Sequence, residues 1–194
     1  NSSRLSFRGV EDLGGGLKGI FNIETRFEAD TGQAQNFNQT PAGSTVANGN
    51  RFWGARSIVG VAGGFGEVTL GREYTTSFLQ SQLQGDPWGW DTIAAQNTIT
   101  GGLIGTVRND SAITYKSPSL GGFGFQLQTA EQNDTFVNRA KRPINLALTY
   151  GGGPVFVGFG HEIVGTGAKW TSLTANMKFG AFKPGVFFGT GNAA

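Results

Sequence analysis

Few residues in this chain could carry covalent chemistry. There is no cysteine and a single histidine, which removes thiolate nucleophiles, disulfides and cysteine-based metal sites. His161, in GHEIV, lacks the second histidine that an H-E-x-x-H zinc site needs; it reads as a polar residue near a strand end. No G-x-S-x-G occurs, so little is left for a serine–histidine nucleophile. The stretch GGGLKG (14–19) fits G-x-G-x-x-G. That motif works only where a helix follows and offers its N-terminus to a pyrophosphate. Here strict two-residue alternation follows, so dinucleotide binding is set aside. Trp88 and Trp90, in QGDPWGWDT, could stack on a sugar, although such residues more often pack a loop. The expectation is a protein that is not an enzyme, with no cofactor and no metal.

The charges are sparse and nearly balanced. Charged residues make up 14% of the 194 residues, against roughly 25% in ordinary globular chains. The net charge is +2, and no basic run is interleaved with aromatics, so no nucleic-acid partner is expected. No window approaches 18 consecutive apolar residues, so no transmembrane helix is present. A membrane barrel leaves a weaker, alternating signal and stays open.

The elements that must position these charges are strands. In RLSFRGVEDLGGGLKGIFNIETRFE (4–28), Leu17, Gly19, Phe21, Ile23 and Phe27 alternate with Lys18, Asn22, Glu24, Arg26 and Glu28. This is the mark of a strand with two unlike faces. The pattern recurs at Ser3–Gly9, Leu17–Phe27, Arg56–Ala62, Glu67–Glu73 and Arg108–Lys116, and in segments holding Phe123–Leu127, Ile144–Tyr150, Val155–Phe159, Thr171–Phe179 and Phe182–Phe188. About ten antiparallel strands are therefore expected. Short glycine turns alternate with longer polar connections, at 29–54, 75–106, 131–141 and 164–168. That is the rhythm of an up-and-down barrel with short turns at one end and long loops at the other.

One face carries Leu, Ile, Val, Phe and Tyr; the other carries small uncharged residues with scattered Arg, Lys and Glu. A soluble sandwich also alternates, so a soluble β-sandwich carbohydrate-binding module stays open as the alternative. A sandwich, however, places plentiful Lys and Glu on its water-facing side. The small, thinly charged polar face fits a crowded aqueous lumen, and a closed barrel pairs every lipid-facing backbone group. Tyr74, Tyr115 and Tyr150 have outward parity and are expected in an interface belt.

Several stretches resemble the general porins of Gram-negative bacteria, of the beta-proteobacterial type. They are SSRLSFRGVEDLGGGLKGIFNIE (2–24), ARSIVGVAGGFGEVTLGRE (55–73), SAITYKSPSLGGFGFQLQ (111–128) and the hairpins at 142–163 and 168–189. The resemblance implies an all-β, antiparallel, up-and-down transmembrane barrel, with residues 1–194 as one partial barrel domain and no second domain. The chain looks like about the second through eleventh strands of sixteen, and is expected to be an internal piece. The resemblance further implies a homotrimer in the cell outer membrane, with outer-membrane lipids outside. Ions and small hydrophilic solutes would diffuse passively through it.

In such porins a long loop folds into the barrel and faces a ladder of arginines. Here that loop would be about 75–107. Arg4 in SRLSFRG, Arg56 in ARS and Arg108 in VRNDSAITY fall where the resemblance puts the ladder. Parity independently sets all three on the polar face of strands that run in one direction. Asp86 and Asp91 would be the loop's opposing acids. Arg72, in LGRE, matches a constriction arginine of some relatives, yet its parity is that of Val68 and Leu70. It would face lipid unless a bulge re-aims it. Lys18 and Glu24 complete the expected lining, with Glu28, Glu67 and Glu73 as further acids. Arginines facing loop carboxylates would set a transverse field, and the charge balance leans toward anions.

Overall fold

The computed structural model describes residues 3–34, 51–87, 89–90, 106–132 and 139–192. Ten strands run in sequence order: β1 (Ser3–Gly14), β2 (Leu17–Phe27), β3 (Arg56–Gly63), β4 (Gly66–Tyr74), β5 (Arg108–Lys116), β6 (Phe123–Ala130), β7 (Ile144–Gly152), β8 (Val155–Ile163), β9 (Lys169–Met177) and β10 (Gly185–Asn192). Each pairs antiparallel with the next, in a single sheet ordered β1 to β10. Their lengths, eight to twelve residues, match tilted strands that cross a bilayer.

The alternation comes out as sidedness. Phe7 is 53% exposed, Val59 60% and Leu70 49%, and Leu5, Phe21, Ile113, Leu127, Leu148, Leu173 and Phe188 are likewise exposed. On the opposite face Thr69, Thr114, Gln128, Asn145, Ser172 and Thr174 are buried. A water-soluble fold would invert this. Burying apolar surface gains roughly 25 cal/mol per Å², and patches of this extent mark an interaction surface. The β-sandwich alternative fails here, because all described strands belong to one sheet and no second sheet covers the oily face.

The polar face is buried by the chain itself. After β4 the backbone turns inward through a π-helical turn, Phe78–Gln82, and a short α turn, Leu83–Gly85. These turns pack on β7, β8 and β9 and reach β10. A segment that leaves β4 and rests on strands three to six places away requires the sheet to curl into a trough around it.

Sequence-derived boundaries match at β2 and β5. β1 runs on to Gly14, beyond the expected end at Gly9, with a register irregularity between Asp12 and Gly14. Phe179 and Phe182 form an isolated bridge outside β9 and β10.

Candidate functional site

The odd strands begin, and the even strands end, at the edge of the trough where the long connections lie. Arg4, Arg56 and Arg108 stand at or next to the starts of β1, β3 and β5; Arg26 and Arg72 stand near the ends of β2 and β4. Antiparallel register therefore gathers guanidinium groups from five neighbouring strands near the point where 75–107 departs. Arg4 lies opposite Arg26, and Glu24 opposite Arg56.

Most of these arginines are held in place. Arg56 Nε donates to Glu73 Oε2 at 3.0 Å, and its Nη2 donates to the same oxygen. Arg72 donates to Gly54 O and to Asp110 Oδ1, both at 2.6 Å. Arg51 Nη1 donates to both oxygens of Asp110 at 2.8 Å. Arg108 donates to Ala55 O and to Tyr74 Oη, both at 2.7 Å, and lies over the Tyr74 ring at 4.2 Å. Arg26 donates to the same hydroxyl at 2.9 Å and to Glu24 Oε1 at 3.5 Å. Charge-assisted bonds of this kind fix the side chains at little further entropic cost.

Arg72 is the principal correction to the strand-parity reading. Between the pairs Gly71–Ala112 and Glu73–Asn109, the single residue Arg72 faces both Asp110 and Ser111. This is a β-bulge, with Gly71 at φ +123° and Ser111 at φ +50°. A Cβ on Gly71 would collide with Ser57 O, so only glycine fits. The extra residue lies in β5, while Arg72 keeps its register with Ser57 of β3; Arg72 is nonetheless buried, 9% exposed, held by Gly54 O and Asp110 rather than left open to lipid. Tyr74 is corrected with it. Rather than joining an outer belt, it takes hydrogen bonds from two arginines and stacks on Phe78 of the inner segment, 5.8 Å between centroids.

The structure thus brings Arg56, Arg72, Arg108 and Glu24 together. Arg4, on the same face, is exposed at the edge strand. Lys18 is not with them: it pairs with Asp12 and Ala62 at the short-turn end of β2. That is eight residues from Arg26, or about 26 Å at about 3.3 Å per residue. Asp86 is buried just after Gly85, a residue that abuts Thr174 and Phe187 of β9 and β10. It therefore belongs to the inner segment's β9–β10 side. Asp91 and Trp88 lie outside the described residues. Sequence reasoning missed Arg26, Arg51 and Asp110 as members of the cluster.

The whole chain, residues 1–194, matches the model of the Gram-negative porin family. Outer membrane porin protein 32 of Delftia acidovorans is 32% identical over 171 residues, covering 82% of this chain and 44% of that protein. An outer membrane porin protein of Bordetella pertussis is 27% identical over 176 residues, covering 84% and 42%. The chain therefore spans less than half the length of these relatives. Among solved structures, an anion-selective porin from Comamonas acidovorans superposes with a TM-score of 0.69 at 27% identity, covering 98% of this chain and 57% of that one. OmpTdeltaL8, a loop-deletion mutant of an outer membrane protein of Vibrio cholerae, shares the fold with a TM-score of 0.65 at 16% identity, covering 98% and 61%. The Delftia and Bordetella relatives are outer membrane porins, not enzymes. With its outward oily face, buried polar face and ten-strand meander, the chain belongs to the Gram-negative porin family.

Proposed function

We propose that this chain forms part of the wall of a passive diffusion channel in the outer membrane, for ions and small hydrophilic solutes. Residues 75–107 form its constriction, and the channel prefers anions. The observation that carries this is the arginine wall itself. Among the described residues, Arg26, Arg51, Arg56 and Arg72 pair with three carboxylates, Glu24, Glu73 and Asp110, and Arg108 joins them through Tyr74 Oη. Two of the arginines share Asp110. Cation excess on a preorganised wall gives a fixed positive potential, which is focused where low-dielectric walls narrow the path. The similarity to the anion-selective porin from Comamonas acidovorans points the same way.

In this reading Arg4, Arg56, Arg72 and Arg108 line the constriction, and Asp86 and Asp91 belong to the facing loop. Glu24 tunes the wall, and Lys18 lies too far along β2 to take part. The family resemblance adds a homotrimer embedded in outer-membrane lipid.

The test is the reversal potential of the full-length protein in a planar bilayer under a KCl gradient. A value displaced toward the chloride equilibrium potential is expected. Arg56→Ala combined with Arg108→Ala is expected to move it toward zero. A potassium-selective pore, or a double variant with unchanged selectivity, would refute the reading.

A further inference from the structure

On β8 three consecutive inward positions, Gly158, Gly160 and Glu162, lie beneath the inner segment. The two glycines make a shelf. A Cβ on Gly158 would strike Gln80 O, and one on Gly160 would stand 2.5 Å from Ser77 Oγ and 2.9 Å from Ser77 Cα. The segment's backbone therefore rests directly on the strand, and Ser81 Oγ donates to Gly158 O at 3.3 Å. At the end of the shelf Glu162 is 0% exposed.

A carboxyl group in that position has no role in the arginine wall. No salt bridge reaches it among the described residues. Neither of its oxygens has a hydrogen bond of full geometry, and Asn145 Oδ1, across β7 in register, and Gln82 Oε1 are unpartnered as well. The Gln82 side-chain amide and the Thr106 backbone N–H both face it. Gln82 lies on the limb of 75–107 that enters the trough; Thr106 lies on the limb that leaves it. The two limbs also meet at their base, where Thr75 N–H donates to Val107 O at 3.0 Å and Thr75 Oγ1 donates to Thr106 O at 2.7 Å. A buried polar group left without partners is costly, so this one stays tolerable only while both limbs remain against it.

We infer that Glu162 is a positioning residue, a clasp on β8 that holds both limbs of the constriction segment on the Gly158–Gly160 shelf. It sets the pore's width without contacting the solute. This deepens the channel reading and rests on it.

Single-channel recording of the full-length protein separates the possibilities. Glu162→Ala removes the clasp and Gly158→Val lifts the segment from its shelf. Each is expected to raise open-channel conductance by roughly half or more and to add current noise, since conduction follows the narrowest section. Glu162→Gln keeps length and hydrogen-bonding capacity and is expected to restore wild-type conductance and reversal potential. Heat-modifiable migration reports folding. If Glu162→Ala does not fold, Gly158→Val and Gly160→Val carry the test. Wild-type conductance in the folded Ala and Val variants would overturn the inference. So would Glu162→Gln shifting the reversal potential as far as Glu162→Ala, because the carboxylate would then act as a fixed pore charge. The channel reading has its own criterion, whether the wild-type protein conducts at all.

Discussion

Asp110 shows most clearly how single residues organise the wall. One carboxylate holds Arg51 and Arg72, and Arg72 is nearly sequestered from water. Removing one member of a buried pair costs about 3–5 kcal/mol, because the other charge is left uncompensated. Asp110→Ala is therefore expected to lower the denaturant midpoint of the refolded full-length protein. Asp110→Asn, which keeps an acceptor, should lower it less. Equal midpoints for wild type and Asp110→Ala would show that the pair carries no stability. Two members of the wall were read directly from the chain: Arg56, at the start of a strand of unbroken parity, and Arg108, although the extra residue at Asp110–Ser111 interrupts the count that put it there. Arg26 had the same signal, sharing the parity of Asn22 and Glu24. Asp110 had none, because its partner Arg72 counts to the opposite face.

The miscounting belongs to the element scale. β2 was legible to the residue because its alternation is unbroken; the bounds of β5 were legible too, although an extra residue at Asp110–Ser111 interrupts its register with β4. The pairing of β4 with β5 was not, because the extra residue of a bulge sits opposite Arg72, and no composition signal announces it. The one clue was the glycine within LGREY: a glycine inside a strand marks a bulge or a close backbone approach. Gly71 is both, at φ +123° with Ser57 O where a Cβ would go. Gly71→Ala is expected to cost at least about 1–3 kcal/mol from the backbone conformation alone. The cost would be visible as a smaller heat-modifiable fraction after refolding. An unaltered fraction would mean that the bulge can rearrange. The inner segment was legible only as a long connection without strand period. Its π-helical turn and glycine shelf depend on β8, more than 70 residues away, and no local pattern encodes such a contact.

For the whole molecule, the two faces exchange the usual roles: oil outside, fixed charge within. The proposed anion preference depends on a field in water, which salt screens. The Debye length falls from about 10 Å at 0.1 M to about 3 Å at 1 M. Chloride preference is expected to weaken over that range, and a selectivity independent of salt would point to size sorting instead. The most direct test of sidedness uses the absence of cysteine from these 194 residues. Arg56→Cys and Val59→Cys, three residues apart on β3, are compared during current recording while a membrane-impermeant sulfonated thiol reagent is added. The expected result is a stepwise fall in current for Arg56→Cys and no response for Val59→Cys. A blocked Val59→Cys channel beside an inert Arg56→Cys channel would contradict an aqueous, arginine-bearing interior.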